Sequence, residues 1–209
     1  KTVDLARVNG QAFLNNVSMG VYGSVVQSAS YRERKVETTM EQLPTLLENP
    51  PDLRFTGPDG QPHTTVHIVH VSNNPYLLDV RGAGGRPSLR TGELGIVTAE
   101  LGGPAAVTDM FARAAVGLLS SASGFNSWTT DRFEVDADGL IEAGIDGEAV
   151  ELTAPAVFTI EPGVLQVRIP TTAIGRSPAA FVPEVRHAVA ELVRRAFLPA
   201  DHWQPLPRR

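Results

Sequence analysis

The acidic residues of this sequence concentrate in one stretch, DRFEVDADGLIEAGIDGEAVEL, at residues 131–152. Within it, Asp146, Gly147 and Glu148 directly follow a strand-like run. Two carboxylates on one turn could bind a metal–phosphate group, or one of them could accept the proton of a hydroxyl. The same residues fit ordinary turn chemistry, because Asp before Gly is a frequent hairpin signal. The residues alone leave both interpretations open.

A glycine-rich loop, GAGGRP at 82–87, is a second candidate for phosphate binding. Phosphate-binding loops direct a helix N-terminus at the phosphate, whereas this loop leads towards a predicted strand. The pattern therefore favours a plain turn.

His63, His67 and His70 form a third candidate group, on one predicted strand. The last two are three residues apart, which places them on opposite faces of a regular strand unless a bulge intervenes. We expect no carboxylate close by, so the pattern does not favour a metal site. The sequence contains no G-x-S-x-G motif, which argues against Ser-His-Asp catalysis.

The composition excludes several classes of protein. The 209 residues include no cysteine and carry a net charge of −5. A disulfide framework and a Cys-based zinc site are therefore excluded, and a nucleic-acid partner is not expected. No apolar run approaches the roughly 20 residues of a membrane-spanning helix. The chain opens with KTVDLARVNG, without Met or an apolar signal region, so a missing upstream segment is one expectation.

Closely spaced glycines and prolines predict many short strands. Asn9-Gly10 predicts a tight hairpin, since both positions tolerate positive φ, and GPDG at 57–60 predicts another turn. Four more strands are predicted in TTDRFEVDA, GLIEAGIDG, AVELTAPAVFTIEP and VLQVRIP. Turns separate them, and hairpin turns are expected at Asp138-Gly139 and Asp146-Gly147, with a further break at Pro162-Gly163.

Apolar residues at helical spacing predict helices near 31–48, 104–122 and 181–197. Strands and helices do not alternate in a βαβ rhythm, which argues against a parallel nucleotide-binding sheet. The predicted fold is therefore mainly β and antiparallel, with helical insertions.

Six segments occur in a fixed order: FLNNVSMGVYGSVV, YRERKVETTMEQLPTLLENPPDLRFT, VHIVHVSNNPY, RPSLRTGELGI, DGLIEAGIDGEAVEL and FTIEPGVLQVRIP. Read together, they resemble the C-terminal domain of the diacylglycerol-kinase-like lipid kinases, the group that includes sphingosine and ceramide kinases. The resemblance covers residues 1–172 and leaves 173–209 as a C-terminal extension. Its most specific part is the D-G-E turn followed by the P-G-x-L-x-V-x-x-P run.

The resemblance implies an antiparallel β-sandwich, the second domain of a two-domain kinase. It also implies an N-terminal domain that binds ATP with Mg²⁺ through a G-G-D-G-T loop, and an active site between the two domains. The implied reaction transfers the γ-phosphoryl group of ATP to the hydroxyl of a diacylglycerol-like lipid. The implied setting is the bacterial cytoplasm, peripheral to the membrane in which the lipid lies.

The resemblance also implies roles for individual residues. Glu148 becomes the catalytic base, Asp146 lies on the Mg²⁺–phosphate side, and Gly147 permits the tight turn. Four further residues are implied in the substrate cleft, namely Asn73, Asn74, Gly20 and Ser24.

The sequence departs from the family in three places. It contains no G-G-D-G-T motif, so the ATP-binding domain is absent and this chain alone is predicted to be inactive. Arg90 and Thr91, before Gly92, stand where many bacterial members have an acidic pair that holds a structural Mg²⁺ in some relatives, so that metal site is not expected. Ser24 stands where sphingosine-type kinases have an acidic residue, which argues against a sphingoid base.

Two other functions remain open: a lipid- or partner-binding β-sandwich without catalysis, and a part of an NAD-kinase-like enzyme. A homodimer is compatible with each of them.

Overall fold

A computed structural model of the protein describes residues 1–20, 52–78, 85–103, 106, 109, 113 and 119–168. The chain divides into two compact units, Lys1–Gly175 and Arg176–Arg209, and every described residue lies in the first. The predicted helices at 31–48 and 181–197 lie outside the described residues. Within the predicted helix at 104–122, residues 106, 109 and 113 are helical, and a 3₁₀ turn spans Leu119–Ser121.

The described part of the chain is built mainly from strands. They are β1 (Thr2–Val8), β2 (Gln11–Phe13), β3 (Asn16–Gly20), β4 (Phe55–Thr56), β5 (Pro62–His63), β6 (Ile68–Asn73), β7 (Leu94–Ala99), β8 (Phe125–Thr130), β9 (Arg132–Val135), β10 (Leu140–Ile145), β11 (Glu148–Thr153) and β12 (Ala156–Gln166).

These strands form two large sheets and one small hairpin. The four-stranded sheet has the order β2-β1-β12-β9, the six-stranded sheet has the order β11-β10-β3-β6-β7-β8, and β4 pairs with β5. The pairings are antiparallel. The predicted fold class, mainly β and antiparallel, is confirmed.

Two hairpin turns follow directly from the sequence. Asn9 and Gly10 join β1 to β2 with φ values of 47° and 83°, and Asp146 and Gly147 join β10 to β11 with φ values of 51° and 92°. Positive φ at both central positions matches the twist of the flanking strands and suits Asn-Gly and Asp-Gly pairs. The GPDG turn between β4 and β5 is also confirmed.

The prediction of a hairpin at Asp138-Gly139 is wrong. β9 belongs to the four-stranded sheet and β10 to the six-stranded sheet, so this turn carries the chain from one sheet to the other. Asp before Gly signals a tight turn, but the turn itself does not determine whether the two flanking strands pair.

Three predicted strand boundaries are also wrong. AVELTAPAVFTIEP was expected as one strand, whereas β11 ends at Thr153 and β12 begins at Ala156. VLQVRIP was expected as a separate strand, whereas β12 continues through Pro162-Gly163 to Gln166. β8 starts at Phe125, ahead of the predicted TTDRFEVDA strand, and a turn at Asp131 separates it from β9.

The core lies between the two large sheets, because one buried cluster contains residues from both. Across the sheets, the rings of Trp128 in β8 and Phe133 in β9 pack in a T-shaped arrangement, with centroids 5.7 Å apart. Phe158 in β12 is completely buried. Full burial of a phenylalanine side chain such as Phe158 contributes about 1.5–3 kcal/mol to the free energy of folding. The result is a sandwich whose sheet edges carry the connecting loops.

Candidate functional site

The candidate site lies at one edge of the six-stranded sheet. Neighbouring antiparallel strands begin and end at the same edge, so the end of β10 meets the start of β3 and the end of β6. This edge therefore collects residues that are far apart in sequence, including Asn16, Asn73 and Asp146.

Asp146 at this edge is bound to the backbone of the β2–β3 connection. Its Oδ2 accepts the N–H of Leu14 at 2.8 Å. Its Oδ1 accepts the N–H groups of Asn15 at 2.7 Å and Asn16 at 3.0 Å. The Asp146 N–H in turn donates to the carbonyl of Asn16 at 2.9 Å. The carboxylate thus stabilises three backbone donors that the ladder does not use, a role that the sequence did not predict.

Glu148 follows at the first position of β11, opposite Ile145. Strand alternation places it on the same face as Val150 and Leu152, and the residue is exposed. Because the Asp146 carboxylate fixes the turn to the β2–β3 connection, Glu148 begins β11 at a defined position on this edge. The structure therefore brings Asp146, Gly147 and Glu148 together, as their adjacency requires.

Asn73, a predicted cleft residue, is bonded to the same β2–β3 connection as Asp146. Its N–H donates to the carbonyl of Asn15 at 3.0 Å. Its side-chain Nδ2 donates to the carbonyls of Asp4 at 3.1 Å and Leu14 at 3.3 Å. Asn73 is 3% exposed, so its side-chain amide is used for these hydrogen bonds inside the protein and is not presented to solvent.

Tyr76 and Arg86 complete this edge, and the sequence did not single out either. The Tyr76 hydroxyl donates to Oδ1 of Asn15. Arg86 Nη1 donates to the carbonyls of Leu14 at 2.8 Å and Asn73 at 2.7 Å, and the guanidinium lies 5.5 Å from the centre of the Tyr76 ring. Both side chains connect the segment after β6 to the β2–β3 connection.

Gly20, a predicted cleft residue, lies at the opposite end of β3 from Asn16 and hence from Asp146. Its φ is 79°, and a Cβ at this position would collide with the carbonyl oxygen of His67. A close approach of two backbones therefore accounts for glycine here. Asn74 is completely buried beside Asn73. Ser24 lies outside the described residues.

The three histidines do not converge. His63 Nδ1 lies 2.6 Å from Oε1 of Glu100, so the expectation that no carboxylate is close by is wrong for His63. His67 Nδ1 accepts the N–H of Leu101 at 3.0 Å. His70 Nδ1 lies 3.1 Å from the Ser18 hydroxyl, and burial lowers the pKa of His70 to about 4. Within the described ranges, no three His, Asp or Glu side chains are grouped as a metal site would require.

Asp146 has limited capacity for a Mg²⁺–phosphate group. A carboxylate oxygen accepts about two hydrogen bonds. Oδ1 already accepts two N–H groups and Oδ2 accepts one, so one acceptor position on Oδ2 remains within this set of contacts. Oxygen ligands of this kind are those that Mg²⁺ prefers.

No protein-family profile matches the sequence. The fold is similar to the crystal structure of "a putative diacylglycerol kinase from Bacillus anthracis str. Sterne", with a TM-score of 0.53 and 24% identity over 78% of this chain and 54% of that chain. Two further solved structures of diacylglycerol kinases from that organism, one of them again called putative, give TM-scores of 0.48 and 0.49 at 22% and 19% identity. They cover 78% of this chain and 52% and 55% of theirs.

The similarity to the first of these structures bears on the fold and not on the activity, because the sequence identity is low. The chain spans about half the length of the solved structures that it matches. In the part of the chain that the structure describes, no helix is long and apolar enough to cross a bilayer.

Proposed function

We propose that this chain is the substrate-side domain of an ATP-dependent lipid kinase that phosphorylates the hydroxyl of a diacylglycerol-like lipid. ATP and Mg²⁺ are held mainly by a separate N-terminal domain of the same protein, and the lipid is reached at the surface of a membrane. The fold similarity to a solved structure of that description supports the proposal. So does the ordered resemblance of residues 1–172.

The observation that carries the proposal is the anchored Asp146–Glu148 turn. Asp146 binds three consecutive backbone amides, which holds the turn to the edge of the six-stranded sheet. An exposed glutamate therefore begins β11 on a rigid strand instead of a free loop. Positioning of this kind is what phosphoryl transfer requires of a protein, since catalysis there is mostly placement and electrostatics.

Glu148 accepts the proton of the lipid hydroxyl as the hydroxyl oxygen attacks the γ-phosphorus. The new phosphorus–oxygen bond forms as the bond to the β–γ bridging oxygen breaks, and ADP leaves. Asp146 orients the turn, and its remaining acceptor position on Oδ2 would serve the Mg²⁺–phosphate group. When bound, Mg²⁺ supplies charge neutralisation on the phosphates.

The test is Glu148→Gln in the intact protein, assayed by transfer of labelled γ-phosphate to diacylglycerol in mixed micelles. Activity is expected to fall about 10²–10⁴-fold, the usual contribution of a positioned general base. Glu151→Gln is the matched control, because Glu151 is an exposed glutamate of the same strand on its other face. A Glu148→Gln protein within a few-fold of wild type would remove Glu148 as the base.

A binding module without catalysis is the second candidate. It is favoured by the Asp146 carboxylate, whose contacts with three amides suffice to explain an Asp before Gly. This candidate predicts that diacylglycerol vesicles bind the wild type and Glu148→Gln equally, with no phosphoryl transfer by the intact protein under any condition.

A further inference from the structure

Asp4 is a buried carboxylate that the proposed chemistry does not use. It lies in β1 on the inward face with Ala6 and Val8, and it is 2% exposed. Its Oδ2 accepts the Gly92 N–H at 2.8 Å, and its Oδ1 accepts the Gly163 N–H at 2.8 Å. A buried carboxylate requires such partners to offset its lost hydration. One side chain therefore joins β1, the loop before β7 and β12.

The Gly163 contact explains why β12 continues through Pro162-Gly163. Val3 pairs with Leu165 and Leu5 with Glu161, so Asp4 faces the three residues 162–164. At such a bulge the extra residues leave the regular ladder, and the Gly163 N–H donates to the Asp4 carboxylate instead. Gly163 has a φ of 66°, which glycine adopts without strain.

Asn74 connects the loop before β7 to Asn73. It is completely buried, and its Oδ1 accepts both the N–H and the hydroxyl of Thr91 at 2.8 Å each. Its Nδ2 donates to Oδ1 of Asn73 at 3.1 Å, and Nδ2 of Asn73 donates to the Asp4 carbonyl at 3.1 Å. Since Gly92 follows Thr91, the hydrogen bonds form a closed ring.

We infer that these residues hold the loop before β7 by direct hydrogen bonds, in place of the structural cation that the resemblance attributes to some relatives at this position. We call these residues the Asp4 cluster. Its members are Asp4, Asn73, Asn74, Thr91, Gly92 and Gly163. Through Asn73, which also bonds to the carbonyl of Leu14, the cluster is connected to the candidate site. This inference rests on the hydrogen bonds of the cluster and not on the proposed function.

The donor set of the cluster does not fit Mg²⁺. That ion takes about six oxygen ligands in near-octahedral geometry and gives up water reluctantly. Asp4 is the one carboxylate of the cluster, and each of its oxygens accepts one backbone N–H, which leaves about one acceptor position on each and far fewer than six ligands. The side-chain oxygen of Asn74 accepts two donors. Where relatives have an acidic pair, Arg90 and Thr91 supply a positive charge and a hydroxyl.

Paramagnetic broadening by Mn²⁺, which occupies Mg²⁺ sites, tests the inference on the unaltered chain. The amide resonances of Gly92 and Gly163 in ¹⁵N-labelled protein are expected to broaden no more than those of Gly10 and Gly60, which lie in surface turns. Selective loss of the Gly92 and Gly163 signals at low Mn²⁺ would overturn the inference.

Thermal unfolding in millimolar MgCl₂ or in EDTA gives a second measurement. A cation at the cluster would raise the wild-type Tm by about 5–10 °C at a hundredfold excess over its Kd. We expect equal Tm values in the two buffers. A Mg²⁺-dependent rise that disappears in Asp4→Asn but persists in Asp59→Asn would contradict the inference. A rise that persists in both variants would assign the cation to another site and support it.

Discussion

Asp4 and Asp146 use the same chemistry in opposite surroundings. Each carboxylate accepts backbone N–H groups through both oxygens, and each joins segments that are far apart in sequence. Asp4 is 2% exposed, whereas Asp146 lies on the surface beside the exposed Glu148.

The two sites differ in which acceptor remains for the backbone amides after the carboxylate is removed. The Asp4 carboxylate is buried and its two hydrogen bonds are part-buried, so after a substitution water replaces it less readily than it would at Asp146. Water can reach the amides around Asp146, so there the cost is smaller. Burial therefore separates a carboxylate that solvent does not reach from one that solvent does reach.

Asp4→Ala is the strongest way to test this comparison. It leaves the Gly92 and Gly163 amides without their acceptor, and we expect a loss of about 2–4 kcal/mol in the free energy of unfolding. Urea unfolding followed by circular dichroism measures it. Asp59→Ala removes an exposed carboxylate that accepts the Gln61 N–H in a surface turn, and it is the control. A loss for Asp4→Ala no larger than for the control would refute the role of burial.

Burial of His70 makes the stability of the fold depend on pH. Its pKa in the folded protein is about 4, below the 6.5 of an unperturbed histidine, because burial disfavours the imidazolium. As the pH falls below 6.5, the unfolded chain binds a proton that the folded protein does not, so stability decreases until about pH 4.

The expected loss from this one group between pH 7 and pH 5 is about 2 kcal/mol. Urea unfolding of the wild type and of His70→Gln at both values measures it, since glutamine does not titrate. An identical pH dependence in the two proteins would count against burial of His70.

Asp146→Asn is expected to cost less than Asp4→Ala, about 1 kcal/mol in the free energy of unfolding, in the range of helix-cap and turn substitutions. One amide oxygen can still accept the Asn15 and Asn16 amides, but Nδ2 faces the Leu14 N–H as a second donor. Urea unfolding at neutral pH measures the change. A cost equal to that of Asp4→Ala would mean that exposure does not distinguish the two aspartates.

Thr98→Val is expected to change the free energy of unfolding least, and to raise it where the other substitutions lower it. Thr98 is 1% exposed, and its hydroxyl is the buried side-chain group without a hydrogen-bond partner among the described residues. Valine has the same shape and no polar group to desolvate, so we expect stability to stay equal or to rise by up to about 1 kcal/mol. A rise in the Tm checks this, and a clear fall would indicate a partner for the hydroxyl.

Local signals in the sequence predicted the turns better than the pairing. Asn9-Gly10 and Asp146-Gly147 form hairpins because both positions need positive φ, a requirement that two adjacent residues express. Asp138-Gly139 carries a similar signal but connects two sheets. Which strands pair depends on partners distant in the chain, and no local pattern records them.

The residues of the candidate site also fall into those that the sequence indicated and those that it did not. The adjacency of Asp146 and Glu148 is visible in the sequence, and Asn73 was named through the resemblance. Tyr76, Arg86 and Asp4 were missed. A signal for Asp4 existed, because period-two alternation in TVDLARV places it on the inward face with Ala6 and Val8. Nothing in the sequence indicates that Gly92 and Gly163 are its partners.

By itself, the sequence determined the mainly β character, the tight turns and the residue types available for chemistry. These depend on short-range preferences of the backbone and on alternation along single strands. The tertiary structure alone decided that Asp146 binds Leu14–Asn16, that Asp4 joins β12 to the loop before β7, and that Gly20 lies away from the candidate turn. Those outcomes depend on sheet order and register, which arise when segments as far as 159 residues apart in the sequence pack on one core.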